Sequence, residues 1–227
     1  MKRAGPDPNF PYLTEGERFN FPPIKSDIVA VGGNLSPGML LSAYEQGIFP
    51  WYNEYEPVIW QSPDPRFIIF PQNLHVSSSM KKIFKKNIFK VTFDQDFPSV
   101  IVNCASIHRS GQDGTWITRD IVAAYTEMHQ LGYAHSAESY LNGQLAGGCY
   151  GIRLGGVFFG ESMFSKVPNA SKAAFLTMAF ALFADGVKFI DCQVYTKHLE
   201  SLGGESITRA DFLKLLKDAI FTQEHGV

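Results

Sequence analysis

Gly155-Gly156-Val157-Phe158-Phe159-Gly160-Glu161-Ser162-Met163-Phe164 is followed by Ser165-Lys166-Val167-Pro168-Asn169-Ala170-Ser171-Lys172, a long apolar run, and then Phe189-Ile190-Asp191-Cys192-Gln193-Val194. Two stretches with strand character, 157–159 and 187–194, bracket a helical run over 169–185. Gly186 stands just past the last helical residue, where a left-handed C-terminal cap favours glycine. Strand, helix, strand is a crossover unit, and such units carry their active groups at strand ends. At those ends the sequence sets Glu161, Asp191 and Gln193 among aromatic and aliphatic neighbours. Polar groups in such company need hydrogen-bond partners or a chemical task. The site is expected here.

Upstream, 135–141, a turn at Asn142-Gly143, 144–153, a turn at Gly155-Gly156 and 157–160 read as an antiparallel meander, because Asn-Gly between strand-like runs is a strong hairpin signal. Thr118 opens a helix through Leu131, whose Ile121, Ala124, Tyr125, Met128 and Leu131 follow the spacing of one buried face. Before it, 97–108 is an amphipathic helix and 110–114 a flexible loop leading into Thr115-Trp116-Ile117. Strands are expected at 67–70 and 91–93. Between them lies a helix over 75–86, capped by Ser77 or Ser78 and carrying Lys81, Lys82, Lys85 and Lys86. Taken alone, those lysines read as a solvated face at the favourable end of the helix dipole rather than as an RNA patch. Downstream, 201–206 is a glycine-containing loop. Thr208 caps a last helix through Ile220, with Asp211 placed as in a capping box.

The N-terminal part differs in character. Residues 7–27 are rich in proline and aromatics and extended, and Pro22-Pro23 forbids a helix there. A short strand at 28–31 leads to Ser36-Pro37, which opens a helix carrying Leu40, Leu41 and Tyr44 and ending at Gly47. An aromatic loop, Gly47-Ile48-Phe49-Pro50-Trp51-Tyr52, and a strand at 58–60 follow. Ser62-Pro63-Asp64-Pro65-Arg66 is turn-forming, so a boundary is set there: a small N-terminal α/β domain over 1–64, expected to dock on a larger domain over 65–227. Helix, meander, helix, strand, helix on one mixed sheet is an α+β layout, and it looks like the GNAT acyltransferase architecture.

The chain has 227 residues, 45% apolar and 19% charged, with a net charge of −2, so the whole is globular in composition and no general attractor of nucleic acid. Three cysteines, Cys104, Cys149 and Cys192, without Cys-x-x-Cys pairing suggest buried reduced thiols in a cytoplasmic protein. No apolar signal core follows the N-terminal Met-Lys-Arg, and the run 173–184 falls well short of the ~20 residues that span a membrane.

The six histidines do not fall at ligand spacing, so no metal is expected. Nucleophile elbow, Walker loop and zincin motif are all missing. Asn169-Ala170-Ser171 matches a glycosylation pattern, but a helix-cap role for Asn169 is the better reading. Asp191 and Gln193, two apart on a strand, would share a face, with Cys192 on the other. Glu161 can face the same cleft from the neighbouring strand, although a surface or capping glutamate fits its spacing equally. Such a trio suits an amine attacking an activated ester, which needs positioning, an acceptor for the amine proton and local negative charge. Gln193 would offer its amide oxygen, polarised by Asp191. Trp51 and Trp116, in loops, have the exposure that stacking on unpaired bases requires.

Ala30-Val31-Gly32-Gly33-Asn34-Leu35-Ser36, Gly47-Ile48-Phe49-Pro50-Trp51-Tyr52, Trp60-Gln61-Ser62-Pro63-Asp64-Pro65-Arg66, Gly114-Thr115-Trp116-Ile117, Phe158-Phe159-Gly160-Glu161-Ser162-Met163-Phe164-Ser165, Asn169-Ala170-Ser171-Lys172 and Ile190-Asp191-Cys192-Gln193-Val194 together resemble the bacterial leucyl/phenylalanyl-tRNA–protein transferase family, over residues 23–216. The resemblance implies a GNAT-like mixed-sheet acyltransferase domain with a small N-terminal domain packed against it. It implies a monomeric, cytoplasmic enzyme without cofactor that moves Leu or Phe from aminoacyl-tRNA to the N-terminal α-amine of proteins beginning with Arg or Lys, marking them for degradation. Asp191 and Gln193 would then form the relay that draws a proton from the amine, and Glu161 would orient the acceptor. Trp51 and Trp116 would hold the 3′-terminal adenosine, assisted by Tyr44 and Tyr125. Cys149, Phe158, Met163, Phe175, Met178 and Ile190 would line the aminoacyl pocket, and Lys81, Lys82, Lys85 and Lys86 become a tRNA-backbone patch.

Ser78 stands where relatives often carry arginine, Cys149 where many have a longer apolar side chain, and Tyr195 has no evident role. Two other classes compete. An acetyl-CoA enzyme would need a glycine-rich pyrophosphate loop, and 165–169 is not one. A non-catalytic RNA-binding module sits poorly with two carboxylates facing the cleft.

Overall fold

The computed structural model describes residues 5–106 and 116–221. In chain order the elements are β1 (Ile28–Val31), α1 (Pro37–Glu45), β2 (Phe49–Pro50), β3 (Ile59–Gln61), β4 (Arg66–Ile69), a 3₁₀ turn (Pro71–Asn73), α2 (Ser78–Lys85), β5 (Lys90–Phe93), α3 (Phe97–Ser106), α4 (Arg119–Gln130), β6 (Ala134–Leu141), β7 (Gln144–Leu154), β8 (Val157–Ser165), α5 (Ala170–Ala184), β9 (Phe189–Gln193), α6 (Lys197–Glu200), β10 (Glu205–Ile207) and α7 (Arg209–Phe221). The loop expected at 110–114 lies outside the described residues.

Two sheets result. The small one has the order β1-β3-β2 and is antiparallel; the large one runs β10-β4-β9-β8-β7-β6-β5. Within the large sheet β8 and β9 are parallel and the other neighbours antiparallel. The crossover helix α5 joins that parallel pair, which gives the α+β mixed sheet its sense. The hairpin from β6 to β7 turns on Asn142 at φ 52° and Gly143 at φ 78°; both central residues with positive φ give the turn whose twist matches the strands. Gly186 takes φ 87° after α5, as a C-terminal cap requires.

Each face of the large sheet has its own core. On one side α5 and Met80 of α2 pack on Phe67, Ile69, Ala137, Cys149, Phe158, Ile190 and Cys192. On the other, α1, α3, α4 and α7 join the small sheet over Ile68, Tyr150, Ile152, Val157, Phe159 and Phe189. Alternation along each strand divides the two sets. Trp60, Phe21, Phe49 and Tyr52 from the first 64 residues belong to the second core, so the N-terminal segment is docked through continuous apolar packing. Gly47 shows how tightly: at φ 73°, a Cβ there would lie 2.5 Å from Leu213 Cδ2 and 2.9 Å from Phe212 Cε1.

Several local expectations need correction. Ser36 and Asn169 occupy N-cap positions but neither side chain caps its helix. The Ser36 hydroxyl accepts from Leu13 N–H and donates to Asn34, while Asn169 sits at φ 71° and Ser165 Oγ takes the Ser171 N–H instead. Thr118 and Ser77 do cap, each accepting from the N–H three residues on. The short β2, α6 and β10 are not signalled by the sequence, and β8 runs on to Ser165 rather than stopping at 160.

Candidate active site

The parallel pairing of β8 with β9 covers only Val157–Phe159 against Phe189–Asp191. Beyond it the strands part, and each carries one extra residue. On β8 the register to β7 jumps from Gly160↔Gly151 to Ser162↔Tyr150, which leaves Glu161 without an opposite number. On β9 the register to β4 jumps from Asp191↔Ile68 to Gln193↔Phe67, which makes Cys192 the extra residue. Bulges re-aim side chains and raise local twist. Here two bulges face one another across the gap.

Glu161 turns toward α1 and α4. Its Oε1 accepts from Tyr44 OH at 2.7 Å and from Gln193 Nε2 at 2.9 Å; Oε2 accepts a longer hydrogen bond of 3.4 Å from Tyr125 OH. The two tyrosine hydroxyls also hydrogen-bond to each other. Burial pushes the Glu161 carboxyl up to about 7, and the nearby charge of Asp191 adds to this against the hydrogen bonds from Tyr44, Gln193 and Tyr125. Burial first, and then the Glu161 charge, hold both tyrosines well above their ordinary value.

Asp191 is placed differently from the expectation. Its carboxylate pairs with Arg66, Nε to Oδ1 at 2.9 Å and Nη2 to Oδ2 at 2.6 Å, and both side chains are completely buried. The guanidinium lies between the rings of Phe49 and Phe212, at 4.9 and 4.3 Å, and donates to Gly47 O. Asp191 Oδ1 also accepts the main-chain N–H of Gln193 at 2.9 Å. Asp191 therefore grips the backbone of Gln193, while the side-chain amide is gripped by Glu161. Gln193 itself sits at φ 65°, an uncommon conformation for a residue with a Cβ. The Asp191 bond to its N–H holds it there. Strict alternation of Asp191, Cys192 and Gln193 fails for the same reason.

The gap opens into a cavity of about 560 Å³. Trp51, Trp116, Cys149, Phe158, Glu161, Met163, Phe175 and Gln193 line it. Two residues expected in the pocket do not: Met178 stands behind Cys149 with sulfur atoms 3.9 Å apart, and Ile190 belongs to the core beneath. Tyr44 and Tyr125 lie behind Glu161 as its hydrogen-bond partners. The α5 face of the wall is apolar and the α1 face carries Glu161 and Gln193. Such a chamber suits a ligand with a hydrocarbon side chain and a polar reacting centre.

Sequence reasoning passes over Arg66, Phe49, Tyr150, His198 and Leu199, of which all but Arg66 line the cavity. In the sequence Arg66 shows only as the end of a turn, although a guanidinium ahead of an apolar strand signals a buried partner. His198 lies on α6, and its Nε2 is 3.2 Å from Met163 Sδ. Burial, then Lys172, lowers its pKa. Tyr195 also lines the cavity, with its ring edge-on to Phe67 and its hydroxyl donating to Glu200. Lys81, Lys82, Lys85 and Lys86 are exposed on α2 and its C-cap. Among the described residues no group of three or more His, Cys, Asp or Glu side chains converges as metal ligands would. No described helix is long and apolar enough to cross a membrane. None of the three cysteines is in a disulfide, and all three are buried.

A family model described as leucyl/phenylalanyl-tRNA protein transferase matches residues 68–217, and a model for that family's N-terminal domain matches residues 33–64. A leucyl/phenylalanyl-tRNA–protein transferase of Flavobacterium johnsoniae is 51% identical over 201 residues, covering 87% of this chain and 95% of its own. One from Syntrophobacter fumaroxidans is 48% identical over 214 residues, 92% of each chain. Among solved structures, a conserved protein of unknown function from Staphylococcus epidermidis aligns at 10% identity with a TM-score of 0.44, covering 64% of this chain and 57% of its own.

Proposed function

This chain belongs to the leucyl/phenylalanyl-tRNA protein transferase family, and from that premise we propose that it moves leucine or phenylalanine from aminoacyl-tRNA to the N-terminal α-amine of proteins that begin with Arg or Lys. The new N-terminal residue marks the acceptor for degradation. The observation that carries this reading is the two-sided cavity. Its apolar wall of Cys149, Phe158, Met163 and Phe175 accepts either hydrocarbon side chain, while Glu161 and Gln193 stand opposite. Unbranched Met163 can adapt its shape to both.

In this reading the 3′-terminal adenosine stacks between Trp51 and Trp116, which line the cavity and are each half-buried. The exposed lysines of α2 meet the phosphate backbone further along the acceptor stem. The acceptor's α-amine donates a hydrogen bond to the Gln193 amide oxygen, which takes no hydrogen bond among the described residues. Asp191 acts as a positioning residue through the main-chain N–H of Gln193. The negative charge of Glu161 favours a protein terminus that carries both an ammonium and a cationic side chain. The enzyme is taken to be a monomer that meets charged tRNA in the cytoplasm.

The test is transfer of radiolabelled leucine from charged tRNA to a protein beginning with Arg, beside the same protein beginning with Ala. Labelling of the Arg form alone supports the reaction and the acceptor class together. Labelling of neither by folded protein sinks the reading.

A further inference from the structure

We infer that Glu161 is the catalytic base that takes the proton from the attacking α-ammonium, with Gln193 acting only as the hydrogen-bond acceptor that aims the nitrogen. This rests on the aminoacyl-transfer reading of the site and adds the group that makes the nucleophile.

An N-terminal amine is mostly protonated at neutral pH, since its ordinary pKa is about 7.7–8.0, and an ammonium has no lone pair with which to attack. Something in the cavity must accept a proton. A glutamine amide cannot, because its oxygen accepts hydrogen bonds but is not a base in water. Asp191 is badly placed: completely buried, away from the cavity wall, with both carboxylate oxygens engaged by Arg66 and one of them also by the Gln193 main chain. Glu161 alone among the carboxylates of the described cavity lining reaches the chamber, 2.9 Å from the Gln193 amide nitrogen. An amine held by the Gln193 oxygen therefore lies one amide group away from it.

The surroundings suit the task. A base works best when its pKa lies near the operating pH, and burial sets Glu161 at about 7. The groups that face it are Tyr44 from α1, Tyr125 from α4, Gln193 from β9 and, at longer range, Asp191 backed by Arg66. His198, from α6, lines the same cavity on the Met163 side. Tyr44 and Tyr125 carry hydroxyls held well above their ordinary pKa, so they stay protonated and do not compete for the proton.

The ammonium gives one proton to the Glu161 carboxylate, and the freed lone pair forms the C–N bond at the ester carbonyl carbon. The C–O bond to the terminal ribose then breaks; the nitrogen loses its second proton and the ribose oxygen gains one. Glu161 finally releases its proton to water, so one amide, one free ribose hydroxyl and one proton leave the enzyme.

Single-turnover transfer with two acceptor peptides tests this. One begins with an ordinary α-ammonium. In the other an aminooxy group, unprotonated at neutral pH, replaces the α-amine. Glu161→Gln keeps the shape and can still accept from Tyr44. It is expected to lower the rate for the ammonium peptide by roughly 10²–10⁴-fold, the usual worth of a general base, and the rate for the aminooxy peptide by less than about tenfold. Glu161→Asp, which retains a carboxylate, should recover part of the ammonium rate. Binding of charged tRNA within about twofold of wild type reports an intact fold. Equal losses with the two peptides would overturn the assignment and leave Glu161 a structural or binding group. A wild-type enzyme that transfers to neither peptide would overturn the transfer reading beneath it.

Discussion

Arg66 and Asp191 form a two-armed ion pair sealed inside the sheet, with both side chains at 0% exposure. Two aromatic rings close over the guanidinium, and the carboxylate passes the constraint on to Gln193 through that residue's main-chain N–H. Breaking a buried pair strands a charge, whereas replacing both partners with apolar groups does not.

Arg66→Met alone should therefore destabilise the protein by about 3–5 kcal/mol. Arg66→Met with Asp191→Leu should regain much of that stability in urea denaturation, yet transfer slowly, because the Gln193 backbone has lost its anchor. A double variant no more stable than the single one would refute the stranded-charge account.

Removing the Gln193 amide has a different signature. Gln193→Ala leaves the ion pair intact, so stability should change by less than about 1 kcal/mol while transfer falls on the order of 10²-fold, a typical loss for one aimed hydrogen-bonding group. Full activity of this variant in the leucine-transfer assay would remove Gln193 from the mechanism.

Glu161 makes stability depend on pH. Its folded pKa, about 7, lies above the ordinary 4.5, so between these values the folded chain holds more protons than the unfolded one and stability declines as pH rises. The penalty is complete above about pH 7 and on the order of 3 kcal/mol. Glu161→Gln, which never ionises, should therefore melt higher than wild type at about pH 8, with the advantage shrinking toward about pH 5. A difference in melting temperature that stays constant over this range would contradict the raised pKa.

Much of this is readable in the sequence. Gly186, the Asn142-Gly143 turn and the apolar run between them and Asp191 dictate strand, helix and parallel strand, because each local preference agrees with the final sheet. Trp51 is legible as a loop aromatic, whereas Cys149, Phe158, Met163 and Phe175 are placed in a pocket only by the family resemblance. The two bulges are hidden. Alternation assumes one residue per rung, and nothing local to Glu161 or Cys192 announces an extra one. Arg66 escapes notice because its partner lies 125 residues away, and short β2, α6 and β10 exist only through tertiary pairing. Met178 and Ile190 lie one layer too deep, which helix and strand periodicity does not resolve.

The lysines of α2 should set the salt dependence of tRNA binding. Replacing Lys81, Lys82, Lys85 and Lys86 with alanine should weaken binding of charged tRNA. It should also flatten the plot of log affinity against log salt by nearly one unit for each phosphate that is no longer neutralised. Transfer at saturating tRNA should be unchanged. An unaltered salt slope would return those lysines to the role of a solvated helix face.

Cys149 lies in the apolar wall of the cavity. Cys149→Leu should narrow the chamber and slow phenylalanine transfer more than leucine transfer, shifting the ratio of kcat/KM by roughly tenfold, the scale on which hydrocarbon pockets discriminate. A ratio that does not move would place the phenylalanine ring elsewhere in the cavity.

The cavity wall is drawn from both ends of the chain: Phe49, Pro50 and Trp51 come from the small sheet and the loop after it, and the residues facing them from β8, β9 and α6. The reaction chamber is thus a seam. Neither half owns it, so no partly assembled chain can handle activated amino acids, and chemical competence doubles as a certificate that folding has finished. A side chain at Gly47, whose Cβ would be driven into Leu213 and Phe212, should disturb that seam and slow transfer.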